Sequence, residues 1–309
     1  MKKISVVMAT YNGEKFIDKQ LNSIINQSLK PTEIIIIDDF SEDRTKEILE
    51  KYKNLNNTIK IVYNNHNEGH FNTFLKGIFM SEGDYIFLSD QDDIWKLEKI
   101  EKMVKILEKN EEIVLLRSNS VLINDEDTLI TKLRNKKRLK EINRKKNWSF
   151  WGSGYEMVFV SSIRDFLKKI DISLLKEFEY HDVMLGMLSP ILGKTFFLEE
   201  ELNFHRLHNK NVTRRITTKS LKASKIKKIE LLEKHKKRYK NLLKIVKNNE
   251  IKNKKNIESD INDMLHFTCL RKNLVKNINI LTFFSLLFSL KNYYRKKDFL
   301  SDIVYSFKR

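Results

Sequence analysis

Four short apolar runs punctuate the first ninety residues: ISVVM (4–8), EIIIID (33–38), IKIVY (59–63) and DYIFLSD (84–90). They are continuous rather than alternating, the pattern of strands covered on both faces. Between them the apolar residues take up helical spacing. Phe16, Ile17, Leu21, Ile24 and Ile25 share a face after the first run, Ile48 and Leu49 follow the second, and Phe71, Phe74, Leu75 and Ile78 follow the third. Strand alternating with helix predicts an α/β fold, a parallel sheet with right-handed crossovers. Further along, IVLLRS (113–118) predicts another strand, EYHDVMLGMLSPILG (179–193) a helix and KTFFLEEEL (194–202) a strand, whereas NKKRLKEINRKKN (135–147) reads as an exposed, mobile insertion. Ordered structure resumes at WGSGYEMVFVSS (151–162), where Gly152 and Gly154 either admit a ligand close to the backbone or form a tight turn.

The polar segments ATYNGE (9–14), DDFSED (38–43), NNHNEGH (64–70) and DQDD (90–93) each follow directly on a strand. All four therefore emerge at the carboxyl edge of the sheet, where open α/β folds bind ligands. Any one alone reads equally as a solvated turn, since Asn, Asp and Gly are ordinary turn formers. DQDD poses an electrostatic question, because Asp90, Asp92 and Asp93 crowd like charges that repel. Either they cap a helix beginning near Trp95, or Asp90 and Asp92 hold a divalent cation through carboxylates, substrate phosphates and water. The pair Asp38–Asp39 on the same edge favours the cation; a carboxylate there could also accept from a pyrimidine ring or a ribose hydroxyl, or merely cap the next helix. No G-x-G-x-x-G follows the first strand, and GKT (193–195) lacks the first glycine of a phosphate loop, Leu188 standing in its place.

Charge divides the chain. Residues 214–309 hold 26 Lys and Arg against 8 Asp and Glu, so the whole net charge of +18 lies there, and residues 1–213 are balanced. A nucleic-acid-binding protein would carry cations interleaved with aromatics on its body, and this body is neutral. One cysteine, Cys269, excludes a disulfide framework and a Cys-based zinc site and fits a reducing cytoplasm. The opening MKKISVVMAT has the charge of a signal peptide but too brief an apolar run, and reads as a strand. In the tail, residues 219–249 place Ile226, Ile229, Leu232, Leu243 and Val246 on a basic amphipathic helix. INILTFFSLLFSLKNYYRKK is too short to span a bilayer. Both segments suit docking at an anionic membrane surface, or a helical hairpin packed on the body or on a second subunit of a homodimer.

Taken together, SVVMATYNGEKFIDKQLNSIINQSLKPTEIIIIDDFSEDRT, NEGHFNTFLKGIFMSEGDYIFLSDQDDIWKLEKI, HDVMLGMLSPILGK and FHRLHNKNVT resemble the family 2 glycosyltransferases of GT-A fold, nearest the bacterial rhamnosyltransferase-like branch. The resemblance spans about residues 4–213, and the charge boundary divides the chain into a catalytic domain over 1–213 and a basic helical extension over 214–309. The resemblance implies inverting transfer of rhamnose or another hexose from a dTDP- or UDP-linked donor to a lipid-linked or oligosaccharide acceptor, and the basic tail would hold the chain at the inner face of the cell membrane. Carried over by position, Thr10, Tyr11, Asn12, Glu14, Asp39, Asn67, Gly69, Asn72, Asp90 and Gln91 would bind the donor nucleotide. Asp92 and Asp90 would hold Mg²⁺ or Mn²⁺, with His208 a secondary ligand. Arg206, His208 and Asn211 match an R-x-H-x-x-N element at the diphosphate, and Asp182 matches the general base. Trp95, Gly152, Gly154 and His181 would border the acceptor. Val183 and Met184 stand where aromatic residues are usual, and Tyr155 where a small or sulfur-bearing one is. A metal-dependent nucleotidyltransferase is the competing enzyme, but it needs a basic glycine-rich loop after the first strand, and ATYNGE has only Lys15 nearby.

Overall fold

The computed structural model describes residues 2–133, 136–149, 152–208, 225–277, 279–293 and 296–307. Strands β1 (Ile4–Thr10), β2 (Glu33–Asp38), β3 (Ile59–Tyr63) and β4 (Tyr85–Asp90) form where the apolar runs predict them, linked by α1 (Ile17–Ile25), α2 (Thr45–Leu55) and α3 (His70–Met80). β1 pairs in parallel with β2 and β4, and β2 with β3. Their side chains alternate between two cores. Val7, Ile86 and Leu88 pack under α3, while Val6, Met8, Tyr85 and Phe87 pack toward α1 and the later helix α4 (Lys99–Lys109). Burial on both faces is why these runs carry no polar alternation.

The remaining strands make the sheet mixed. β5 (Ile94–Trp95), β6 (Ile113–Ile123), β7 (Leu139–Ile142), β8 (Met157–Val160) and β9 (Lys194–Arg206) complete nine strands in the order β3-β2-β1-β4-β8-β6-β9-β5, with β7 joined to β9. β8 runs antiparallel to β4 and β6, and β6 and β9 are parallel. The chain leaves β1 toward β2 on one side and returns to β4 on the other, so the topological switch point lies between β1 and β4.

Two expectations are corrected. The basic stretch 135–147 is not a free insertion: within its described part β7 pairs with β9, and α5 (Arg144–Ser149) follows. Trp148, next in sequence, is fully buried, its indole donating to the Met187 carbonyl at 2.8 Å. β7 is an edge strand whose one lysine, Lys140, pairs with Glu199, so the sequence there looks solvated. Nor does a helix start near Trp95; the DQDD turn enters β5, and α4 begins four residues later.

α6 (Ser161–Leu167), α7 (Ile172–Lys176) and α8 (His181–Leu192) complete the body. The tail forms α9 (Lys225–Asn248), α10 (Lys254–Lys276), α11 (Ile280–Phe288) and α12 (Lys296–Phe307). α9 docks on the body, its Tyr239, Leu242, Ile245 and Val246 joining the core with Trp148 and α8. Lys234 and Arg238 bind Glu179 at 3.0 and 2.7 Å, and Arg144 and Lys145 reach Asp260 and Asp263 of α10. Of the apolar stripe predicted over 219–249, Leu232 and Val246 are buried and Ile226 is exposed, because the face that docks is offset from that stripe. Residues 219–224 lie outside the described residues. Among the described residues no helix is long and apolar enough to cross a membrane.

Candidate active site

The loops at the carboxyl edge are tied to one another across the switch point. Tyr11 N donates to Gln91 Oε1 at 2.8 Å and Gln91 Nε2 returns a bond to the Tyr11 carbonyl at 2.9 Å, clasping the loop after β1 to the one after β4. Asn12, at φ 47, donates from its N to Ser41 Oγ and accepts from Glu42 N, while Glu14 accepts from Arg44 N. Thr10 and Ser41 both donate to Asp38, which is fully buried. Asp39 accepts from Asn64 Nδ2, Glu68 N and Gly69 N at 2.8–2.9 Å, so its first task is to hold the loop after β3. Asn72 caps the Glu68 carbonyl at 2.7 Å, and Asn67 is exposed. Tyr11 is 47% exposed and Phe40 39%, the latter a residue that sequence reasoning passed over and that sits in the left-handed region at φ 66.

The β5–β9 ladder resolves two of the three crowded carboxylates. Ile94 opposes Phe204 and Trp95 opposes Asn203, which lays His205, Arg206 and His208 along the DQDD turn. His205 Nδ1 meets Asp93 Oδ1 at 2.8 Å, and Arg206 N donates to the same oxygen at 3.2 Å. Burial opposes a charge on His205, yet the Asp93 carboxylate in contact, with Asp90 and Asp92 beyond, outweighs it and pushes the ring up to about 9. Tyr155 stacks on His205 with centroids 4.3 Å apart. His208 Nε2 lies 2.7 Å from Asp92 Oδ2. The Asp90 carboxyl is left without a hydrogen-bond donor among the described residues, and burial, then Asp93 and Asp92, hold it well above the usual range. Asp93 Oδ2 is likewise buried and without a partner among those residues.

Asp182 opens α8. Its Oδ1 accepts from Val183 N at 2.7 Å, and burial pushes the carboxyl up to about 6. It lies within electrostatic reach of Asp90. His181, buried, stacks on Phe74 at 3.9 Å and touches His70, itself within electrostatic reach of Asp39 and Asp92. A Cβ on Gly154 would fall 2.2 Å from His181 Nε2, and one on Gly152, at φ 81, would fall 2.2 Å from Arg117 Nη1. These glycines let the 152–154 turn close over α8 and β6. They face protein side chains, the tight-turn alternative of the two.

Two residues assigned by resemblance sit differently from that assignment. The Arg206 side chain is fully buried: Nε donates to the Asp92 carbonyl at 3.0 Å, Nη1 to the Asn124 carbonyl at 2.8 Å, and Nη2 pairs with Asp127. It braces the turn that presents Asp92. Trp95 is only 3% exposed, because β5 pairing turns its ring inward beneath the Lys99 ammonium, 4.0 Å away. Asn211 lies outside the described residues. Two ionisable side chains went unread, Lys99 fully buried and Glu156 half-buried. Lys99 donates to the Tyr155 carbonyl at 2.7 Å and is brought down to about 7 by burial, and Glu156 accepts from Ser120 Oγ at 3.0 Å. Lys99 lies one residue from Ile100 on the buried stripe of α4, the only signal the sequence offered. A cavity of about 970 Å³ opens at the opposite edge of the sheet, by Arg144, Lys194 and Lys252, and no residue of this site lines it.

Residues 5–168 match the family described as Glycosyl transferase family 2, and the chain belongs to that family. An uncharacterized glycosyltransferase of Haemophilus influenzae is 40% identical over 124 residues, covering 40% of this chain and 38% of its own. The dTDP-rhamnosyl transferase RfbG of Shigella flexneri is 40% identical over 105 residues, covering 32% of this chain and 36% of its own. The chain thus spans less than half the length of these relatives. The S. aureus TarS 1–349 structure in complex with UDP-GlcNAc matches with a TM-score of 0.60 at 18% identity, over 98% of this chain and 81% of that one, a shared GT-A fold.

Proposed function

We propose that the chain is an inverting, metal-assisted hexosyltransferase that moves a sugar, rhamnose or a related hexose, from a dTDP- or UDP-linked donor to a hydroxyl of a lipid-linked or surface glycan. The observation that carries this reading is Asp182: a carboxylate raised to about 6 at the start of α8, within electrostatic reach of Asp90. A base poised near neutrality is what deprotonation of an attacking hydroxyl requires. The acceptor oxygen forms a bond to the anomeric carbon while the bond from that carbon to the diphosphate oxygen breaks. The acceptor proton passes to Asp182, and the bonding pair leaves with the diphosphate.

The nucleoside lies over the loops after β1, β2 and β3. Tyr11 offers an exposed ring, Thr10 and Asp39 define the floor, and Gly69 and Asn72 keep the third loop in place. Among the described residues no group of three or more His, Cys, Asp or Glu converges as a metal site. The residues nonetheless fit a hard dication of the kind that takes one or two carboxylates and completes its shell with phosphate and water. The half-buried Asp90 carboxyl, with its raised proton affinity, and the orphaned Asp93 Oδ2 lack a compensating donor among the described residues, as oxygens awaiting a cation would. Asp92 and Asp90 would hold Mg²⁺ or Mn²⁺, which when bound would neutralise charge on the departing diphosphate. His208 orients Asp92, and Arg206 braces it from behind. RfbG, named for a dTDP-rhamnosyl donor, and TarS, solved with UDP-GlcNAc, support a nucleotide-sugar donor. The chain works in the cytoplasm, with its basic tail at the inner face of the membrane, where a lipid-linked acceptor is presented.

The test is hydrolysis and transfer with a panel of dTDP-, UDP- and GDP-sugars, with and without divalent cation. A preferred dTDP- or UDP-sugar turned over in a cation-dependent way is the expected result. No turnover of any nucleotide sugar, or turnover indifferent to chelator, would overturn the reading.

A further inference from the structure

Building on the reading of the acceptor as lipid-linked, we propose that the outward face of α11 is a lipid-contacting surface that seats the chain on an anionic bilayer. α11 carries no charged residue, and its two sides differ sharply. Leu286 is buried, and Phe283 packs inward on Phe299 with centroids 5.7 Å apart. Ile280, Leu281, Phe284, Leu287 and Phe288 recur at the spacing of one helical face, and Ile280, Leu281 and Phe288 are 70%, 73% and 83% exposed. On α12, packed beside it through the same Phe283–Phe299 contact, Leu300, Val304 and Phe307 repeat the pattern and are exposed as well. Exposed apolar residues scattered singly are ordinary; a contiguous stripe of them with aromatic members marks a surface that something covers.

The charge around the stripe selects what covers it. Lys276 before α11, Lys291 after it and Lys297 at the start of α12 are all exposed, and among the described residues none lies within ion-pair distance of a carboxylate. An apolar helical face rimmed by lysines is the form of a helix lying in the headgroup boundary, its cations on anionic phosphates and its aromatics at the acyl edge. A second copy is the poorer occupant. A two-fold contact repeats the same patch on both sides, so the same lysines would face each other, within a region that already carries the whole +18 of the chain.

The experiment is cosedimentation of the full chain with vesicles of phosphatidylcholine alone and of phosphatidylcholine containing phosphatidylglycerol, at low and high salt. Wild type should bind the anionic vesicles and not the neutral ones. The triple variant Leu281→Ser, Phe284→Ser, Phe288→Ser should partition at least about tenfold less. The variant Lys276→Glu, Lys291→Glu, Lys297→Glu should lose most of the binding and its salt dependence. Both should hydrolyse donor in solution as wild type does. If the triple variant is misfolded by circular dichroism, the single Phe288→Asp, at a position already in solvent, takes its place. Wild type remaining in the supernatant, or apolar variants sedimenting undiminished, would overturn the proposal. So would a wild-type dimer in sedimentation velocity that the triple variant converts to monomer without any vesicle binding. Failure of the transferase reading shows separately, as absent turnover by wild type whatever its vesicle binding.

Discussion

Replacing Asp182 by Asn tests the base through two readouts that must move in opposite directions. Asn keeps an acceptor for Val183 N but cannot take a proton, so transfer should fall by about 10²- to 10⁴-fold, the usual contribution of a general base. Stability should rise. The carboxyl is held near 6 against an ordinary 3.8, a gap worth ~3 kcal/mol at 1.36 kcal/mol per pKa unit. Because the folded value lies above the unfolded one, the folded state binds the extra proton between these values, and stability is lost as pH rises from 3.8 through 6. Solvent reaches part of this side chain, so the recoverable amount is smaller, about 1–2 kcal/mol at pH 8. Urea denaturation of both proteins at pH 8 and pH 4 measures it: the Asn variant should be more stable at pH 8, and its advantage should shrink at pH 4. An advantage that is absent at pH 8, or larger at pH 4, would refute the burial argument, and retained transfer would remove Asp182 as base. Wild-type transfer should also fall about tenfold per pH unit below 6.

Other residues give independent outcomes. Asp92→Ala should lower donor turnover by about 10²-fold or more and abolish its response to added Mg²⁺ or Mn²⁺, read by titrating cation at fixed donor. The His205 ring, raised to about 9, contributes stability that is fully present below its ordinary 6.5 and lost as pH rises through 9; the slope of denaturation midpoint over pH 6.5–9 should flatten in His205→Gln. Gly154→Ala puts a methyl 2.2 Å from His181 Nε2 and should cost about 1–3 kcal/mol, with kcat falling more than KM rises as α8 is displaced. Arg238 lowers the Asp182 carboxyl from across the tail, so Arg238→Gln should move the acid limb of the rate profile upward from 6.

The sheet and its carboxyl edge were legible because physics writes them locally. A strand buried on both faces must be apolar throughout, and a loop leaving it toward ligand must be polar, so β1 to β4 and their four loops appear as adjacent opposites. What escaped depends on partners distant in sequence. β7 and α5 hide in a lysine-rich run because Lys140 and Lys145 are matched by Glu199, Asp260 and Asp263. The relief of Asp93 by His205 exists only through a two-residue ladder between β5 and β9. Arg206 fits a sequence pattern at the diphosphate, and only its burial reveals a brace. Trp95, assigned by resemblance to the border of the acceptor, is turned inward by the pairing of β5 with β9. Asp182, by residue type alone a helix cap, is distinguished by the burial that lifts its proton affinity.

The pairing of β9 with β6 and β5 has a practical corollary for anyone cutting this gene. The family match ends at residue 168, twenty-six residues before β9 begins. A fragment stopping there would retain the loops after β1 to β4 yet forfeit both imidazoles, and would lay bare the long flank of β6 as a sticky template for other chains. Expressed alone it should precipitate, whereas a fragment extended past His208 would keep the acidic turn supplied with its basic counterparts.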